Sequence, residues 1–137
     1  MSNQWDPMPT LPVPWGEVFD KFTILQIKQV RIAEPAKLSN ICSEIAVIQE
    51  VIGDTRRFPE GTTSLLNQLQ QVNEAIWQVE DDKRQCEREK RFDEHFVQLA
   101  RQVYQLNDER ARLKKQIDQV LGSTLTEEKS HNSVLIP

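Results

Sequence analysis

An all-α protein, arranged as a four-helix bundle or as paired long helical hairpins, is what the sequence predicts, on three observations. Apolar residues recur with alternating steps of three and four over most of the chain, which lines one face of an α-helix. Prolines and glycines gather in a few places, leaving intervals long enough for helices of many turns. No sustained two-residue alternation of apolar and polar side chains marks a strand.

Pro7, Pro9, Pro12 and Pro14 make residues 1–14 an extended, proline-rich arm, because proline blocks helix and biases its predecessor towards extended backbone. A first helix follows over residues 15–32, with Phe22, Ile24, Leu25 and Ile27 as its apolar stripe. Pro35 suits the first turn of a second helix, 35–52, in which Leu38, Ile41, Ile45, Ile48 and Ile52 share a face and Gly53 is the stop. Residues 54–61 read as a loop carrying Arg56, Arg57 and a Pro59-Glu60-Gly61 turn.

From Thr62 to Leu121 there is neither proline nor glycine, yet the apolar phase predicts two helices, 62–91 and 93–121. Leu65, Leu69, Val72, Ile76 and Val79 form one seam. Phe92, Phe96, Leu99, Val103, Leu106, Leu113, Ile117 and Val120 form another, out of register with the first. Asp93 is placed to cap the later helix, with Phe92 and Val97 as a hydrophobic staple. Gly122 ends it, and residues 123–137 form a tail with a short turn around Glu127 to Ser130. Residues 15–122 are therefore read as a single helical domain, whose heptad spacing also permits a homodimer or coiled-coil pairing with a partner protein.

Composition narrows the function classes. A chain of 137 residues has room for one modest core. No apolar run approaches the ~20 residues of a membrane span, and Met1 to Val13 lacks the basic start and apolar centre of a signal peptide. Cys42 and Cys86 are the only cysteines; both read as reduced, packed helix residues, which points to a cytoplasmic protein. A net charge of -4 leaves no basic footprint for nucleic acid. Glycine-rich phosphate loops, HExxH and clustered Cys/His sets are absent, His95 and His131 are isolated, and Glu80-Asp81-Asp82 reads as a solvated face. No metal or cofactor is expected.

The informative residues are polar ones where the pattern calls for apolar. Arg110 occupies a core position of the last seam, with Asn107 and Lys114 on the adjacent line. An unpaired buried guanidinium costs several kcal/mol, so Arg110 must find a carboxylate, bind an anion or reach solvent along its stem. Asn73, Trp77, Glu80 and Arg84 follow steps of 4, 3 and 4 beside the other long seam, with Asp81 next to Glu80. In the first helix Lys21 and Lys28 are seven apart, and Asp20 and Arg31 lie on a neighbouring line. Two readings stay open. These lines form rim salt bridges, individually worth little. Alternatively they converge on one polar cleft, with Lys21, Lys28, Arg31, Arg84, Arg110 and Lys114 facing a phosphate or carboxylate and Asn73, Glu80 and Asp81 orienting them.

The stretches "PWGEVFDKFTILQIKQVRI", "VNEAIWQVEDDKRQCE", "VYQLNDERARLKKQI" and "EEKS" together resemble a small bacterial family catalogued as a domain of unknown function, DUF6165, over about residues 12–130. The likeness falls on Trp15, Gly16, Glu17, Asp20, Lys21, Thr23, Ile24, Leu25, Lys28 and Arg31. It continues through Asn73, Trp77, Glu80, Asp81, Arg84, Asn107, Asp108, Arg110 and Lys114, and ends at Glu128, Lys129 and Ser130. Two departures are visible: Pro14 stands where the family usually has a capping Ser, and Ser130-His131 replaces an aromatic ending. The resemblance implies bacterial origin and a loose link to cell-surface sugar metabolism, but brings no activity. "FDKFTILQIKQVRI" is also faintly similar to the first helix of all-helical chorismate mutases, an analogy for catalysis by electrostatics alone.

Three functions follow in order of preference. The first is a helical module that binds a small anionic metabolite, phosphate- or carboxylate-bearing and perhaps sugar-linked as the resemblance suggests. The second is a non-catalytic interaction or scaffold protein that self-associates or docks on a larger enzyme of cell-surface sugar metabolism. The third is an enzyme without covalent intermediates.

Overall fold

A computed structural model describes residues 3–123, Glu128 and His131 of the chain. Four helices account for its regular structure: α1 (Trp15–Arg31), α2 (Pro35–Ile52), α3 (Thr62–Arg88) and α4 (Glu94–Leu121), with a 3₁₀ turn at Thr55–Arg57. Residues 3–14 form neither helix nor strand; the Asp6 N–H donates to the Asn3 carbonyl at 2.9 Å, and the Asp6–Pro7 peptide is cis.

The helix ends follow their punctuation, with one exception. Pro35 opens α2, Gly53 closes it at φ 66°, and Gly122 closes α4 at φ 67°. Asp93 caps α4, its Oδ1 accepting from the Phe96 N–H at 3.4 Å. The exception is α3, expected to run to Arg91 but ending at Arg88. Lys90 takes a left-handed conformation (φ 53°), and the Arg91 and Lys90 N–H groups donate to the Cys86 and Glu87 carbonyls. That crossed pair of bonds is a Schellman ending. It is usually marked by glycine, so a lysine there hides it from the sequence. Beyond it, Phe92 meets Phe96 edge-on at 5.4 Å.

The helices pack as two hairpins. In the first, Leu25 of α1 meets Ile41 and Ile45 of α2, flanked by Phe22, Ile32 and Ile48. In the second, Val79 and Cys86 of α3 meet Leu99 of α4. α1 lies on the α3–α4 hairpin, joined by a core of Phe19, Leu69, Leu113 and Ile117, to which α2 adds Ile52. Fully burying one such side chain stabilises by about 1.5–3 kcal/mol, so this cluster dominates the union of the hairpins. Cys86 is buried, but Cys42 is exposed and not packed as expected, because the inward line of α2 runs through residues 41, 45, 48 and 52.

Length sets what α1 leaves open. α3 and α4 have 27 and 28 residues, about 40 Å each, whereas α1 has 17, about 25 Å. α1 starts beside the C-terminal end of α4, so the opposite end of the long hairpin projects beyond it. Among the described residues no helix is long and apolar enough to cross a membrane.

Candidate functional site

Where α1 enters the hairpin, polar groups are buried and matched. Pro14 offers no side-chain cap to α1, and the replacement comes from the far end of the chain. Asp118 Oδ1 accepts from the Gly16 N–H at 2.6 Å, and Ser123 Oγ accepts from the Trp15 N–H at 3.1 Å. A carboxylate there satisfies an orphan donor and sits at the positive end of the helix dipole. Gly16 is required for this approach, since a Cβ would collide with the Lys114 carbonyl oxygen and stand 2.9 Å from Asp118 Oδ1.

One turn further, Lys114 donates to Glu17 Oε2 at 2.8 Å and lies 3.7 Å from Asp20 Oδ2, its side chain 11% exposed. Asn73 Nδ2 reaches Asp20 Oδ1 at 3.0 Å and Thr23 Oγ1 at 2.8 Å, while the Thr23 hydroxyl donates to the Asp20 carbonyl. Asp20, Thr23 and Asn73 are all buried. Three helices are thus locked in register by one network, and three residues read from the sequence as a site, Asp20, Asn73 and Lys114, meet in it.

That network orders the rest. Gly16 against Asp118 and Asp20 against Lys114 make α1 and α4 antiparallel; α3, antiparallel to α4 with Leu69 near Ile117 and Cys86 near Leu99, is then parallel to α1. Extending the register by a turn or two brings Arg110 level with Ile24, Asn107 with Lys28, and Trp77 and Glu80 with Ile27 and Lys28. Trp77, Glu80 and Arg84 keep to the line on which Asn73 faces α1, by their steps of 4, 3 and 4. Lys28, Trp77, Glu80, Asn107 and Arg110 are all half-buried.

Charges here are less completely matched. Glu80 takes Lys83 at 3.5 Å and Arg84 at 3.7 Å, both along α3. Glu109, next to Arg110 in sequence, is held by Arg112, and that hydrogen bond keeps the Glu109 carboxyl below its ordinary range. Among the described residues neither Lys28 nor Arg110 forms an ion pair. Other expected residues lie apart. Lys21 is exposed and pairs with Glu44 of α2 at 3.6 Å, and Arg31, Asp81 and Arg84 are exposed. No group of three or more His, Cys, Asp or Glu among the described residues is arranged to hold a metal ion. The turn expected around Glu127 to Ser130 lies outside the described residues except for Glu128, whose carboxylate is 3.4 Å from Lys115.

Sequence reasoning missed Asp118, Ser123 and Arg57. Arg57 donates to the Ile52 carbonyl at 2.7 Å and to that of Val51 at 3.3 Å, closing the C-terminal end of α2. Its guanidinium also stands 5.6 Å from the Trp15 ring and 4.7 Å from the Phe58 ring, pinning the loop to α1. Polar residues at a helix C-terminus and in the loop after α2 were the available signals.

Comparison with known proteins gives one match. Residues 13–136 fit the model of a family described as a family of unknown function, DUF6165. Neither the curated proteins nor the solved structures contain a match.

Proposed function

Since the chain belongs to the DUF6165 family, whose description carries no activity, we propose from its geometry that it is a helical module binding a small phosphate- or carboxylate-bearing molecule between α1, α3 and α4. The supporting observation is the contrast between cations on one seam. Lys114 is buried against two carboxylates. Arg110, one turn along the same helix and at a core position, is half-buried with no ion pair among the described residues. A cation withdrawn from water without a counter-charge favours an anion supplied from outside. Lys28 on α1 adds a second positive group, and Asn107 and Glu80 offer hydrogen-bonding partners to hydroxyl groups on the ligand.

Thermal unfolding with a panel of inorganic phosphate, pyrophosphate and small dicarboxylates tests this. Binding of the native state raises Tm with concentration, and Arg110→Ala is expected to abolish the rise. No rise with any anion, together with an unchanged response in Arg110→Ala, would reject the reading.

One observation favours the alternative of an interaction protein. α2 is the most apolar of the four helices, yet it packs chiefly on α1 and leaves Val47 and Val51 exposed. Light scattering discriminates: self-association lost in Val47→Asp supports this alternative, and a strict monomer counts against it.

A further inference from the structure

α4 presents two faces of opposite character. Leu99, Leu113 and Ile117 are buried in the core. Roughly opposite them, at about 100° per residue, Val97, Tyr104, Ala111 and Lys115 follow one another at steps of seven, seven and four. Val97 and Tyr104 on this line are exposed. The chain turns back beside it at Gly122. The Ser123 N–H donates to the Asp118 carbonyl at 2.9 Å, and Ser123 Oγ accepts from the Trp15 N–H at 3.1 Å. Glu128 then sits with its carboxylate 3.4 Å from Lys115 Nζ, almost two turns before the end of α4 at Leu121. The path after α4 therefore returns along the helix and arrives on the exposed line.

We propose that this line of α4 is the docking surface for the chain's own C-terminal segment, with Val134, Leu135 and Ile136 covering Tyr104 and Val97. Reach supports the match. Tyr104 and Val97 precede Lys115 by 11 and 18 residues, about 17 and 27 Å along the helix. Val134 and Ile136 follow Glu128 by six and eight residues, which an extended chain spans in about 20 and 26 Å. The apolar run thus falls between the two exposed apolar residues. Charge guides the same path, since Glu127 and Glu128 lead the segment where α4 carries Lys114 and Lys115. The exposed pair of Glu128 and Lys115 adds little by itself, so removal of Tyr104 and Val97 from water is what holds the segment. The family match runs to residue 136, so the sequence shared by the family takes in this segment as well as the helices. Arg110 lies well round α4 from the line by helix phase, which keeps this docking independent of anion binding.

Nuclear Overhauser contacts and amide exchange in the full chain test the placement. Methyl groups of Val134, Leu135 and Ile136 are expected to contact the Tyr104 ring and the Val97 methyls. Amides 134–136 should exchange about tenfold slower than in an unstructured peptide. Leu135→Asp and Tyr104→Asp, one on each side of the contact, should each return those amides to unstructured rates while the Leu113 and Ile117 amides keep theirs. Unprotected amides without such methyl contacts in the parent chain would overturn the proposal, and so would protection that survives both substitutions. Contacts found only between differently labelled copies would also overturn it, by giving the surface to the segment of a second chain.

Discussion

The two halves of the α1 seam differ in how completely their charges are matched. At the entry, Gly16, Glu17 and Asp20 meet Lys114, Asp118 and Asn73 in short bonds, and the Phe19 cluster beside them is almost wholly buried. Two turns on, Lys28, Arg110, Trp77 and Glu80 of the same three helices are half-buried, and neither Lys28 nor Arg110 forms an ion pair among the described residues. The seam is therefore a lock at one end and, on the function proposed above, an anion site at the other. Polar residues at core positions are consequently two populations: some set register, and others are left over once register is set. Substitutions should separate them by the sign and size of their effect on stability.

The largest effect belongs to the lock. Gly16→Ala places a methyl group against the backbone of α4, which cannot yield as a side chain would. Overpacking and loss of the 2.6 Å bond from the Gly16 N–H to Asp118 should together cost about 3 kcal/mol, read from urea midpoints at constant slope. Less than about 0.5 kcal/mol would mean that the close approach does not hold the hairpins together.

Lys114→Met comes next. It leaves Asp20 buried with one cation fewer, and a stranded buried carboxylate is expensive even where the intact pair adds little. A loss of about 2 kcal/mol is expected at neutral pH. It should shrink in the double variant Lys114→Met/Asp20→Asn, which removes the stranded charge, and an additive double variant would refute the coupling. Asp118→Ala follows at about 1 kcal/mol, the usual value of a helix cap. Asp118→Asn should retain most of it, since an amide oxygen can still accept from the Gly16 N–H.

Helices were legible because their signals are local. Pro35, Gly53 and Gly122 act on their own backbone, and Leu38 to Ile52 reveal their shared face by spacing alone. The α3 ending was misplaced because Lys90 adopts a conformation that its side chain does not advertise. The candidate site was half legible. Phase analysis finds Asp20, Asn73, Lys114 and Arg110 as polar residues on apolar lines, but cannot say which of them satisfy one another. Cap exchange was invisible: Gly16 and Asp118 are 102 residues apart, and only the fold makes them neighbours. The same limit explains Lys21, whose heptad partner is Lys28 in the sequence but whose charge turns to Glu44 on α2.

The smallest expected effect is the most discriminating, because its sign separates the two halves. Arg110→Met replaces a half-buried guanidinium, without an ion pair among the described residues, with an apolar side chain that fills much of the same space. Nothing is stranded by the change, so stability at neutral pH should stay within about 0.5 kcal/mol of the parent or rise. The comparison with Lys114→Met is controlled: both remove one cation from α4 one turn apart, and both install methionine. Were Arg110→Met to cost as much as Lys114→Met, Arg110 would belong to the lock and the anion site would not exist. Unchanged stability with a lost thermal response to anions is the outcome that assigns Arg110 to ligand and not to fold, and the denaturation curve and the anion titration can be measured on the same preparation.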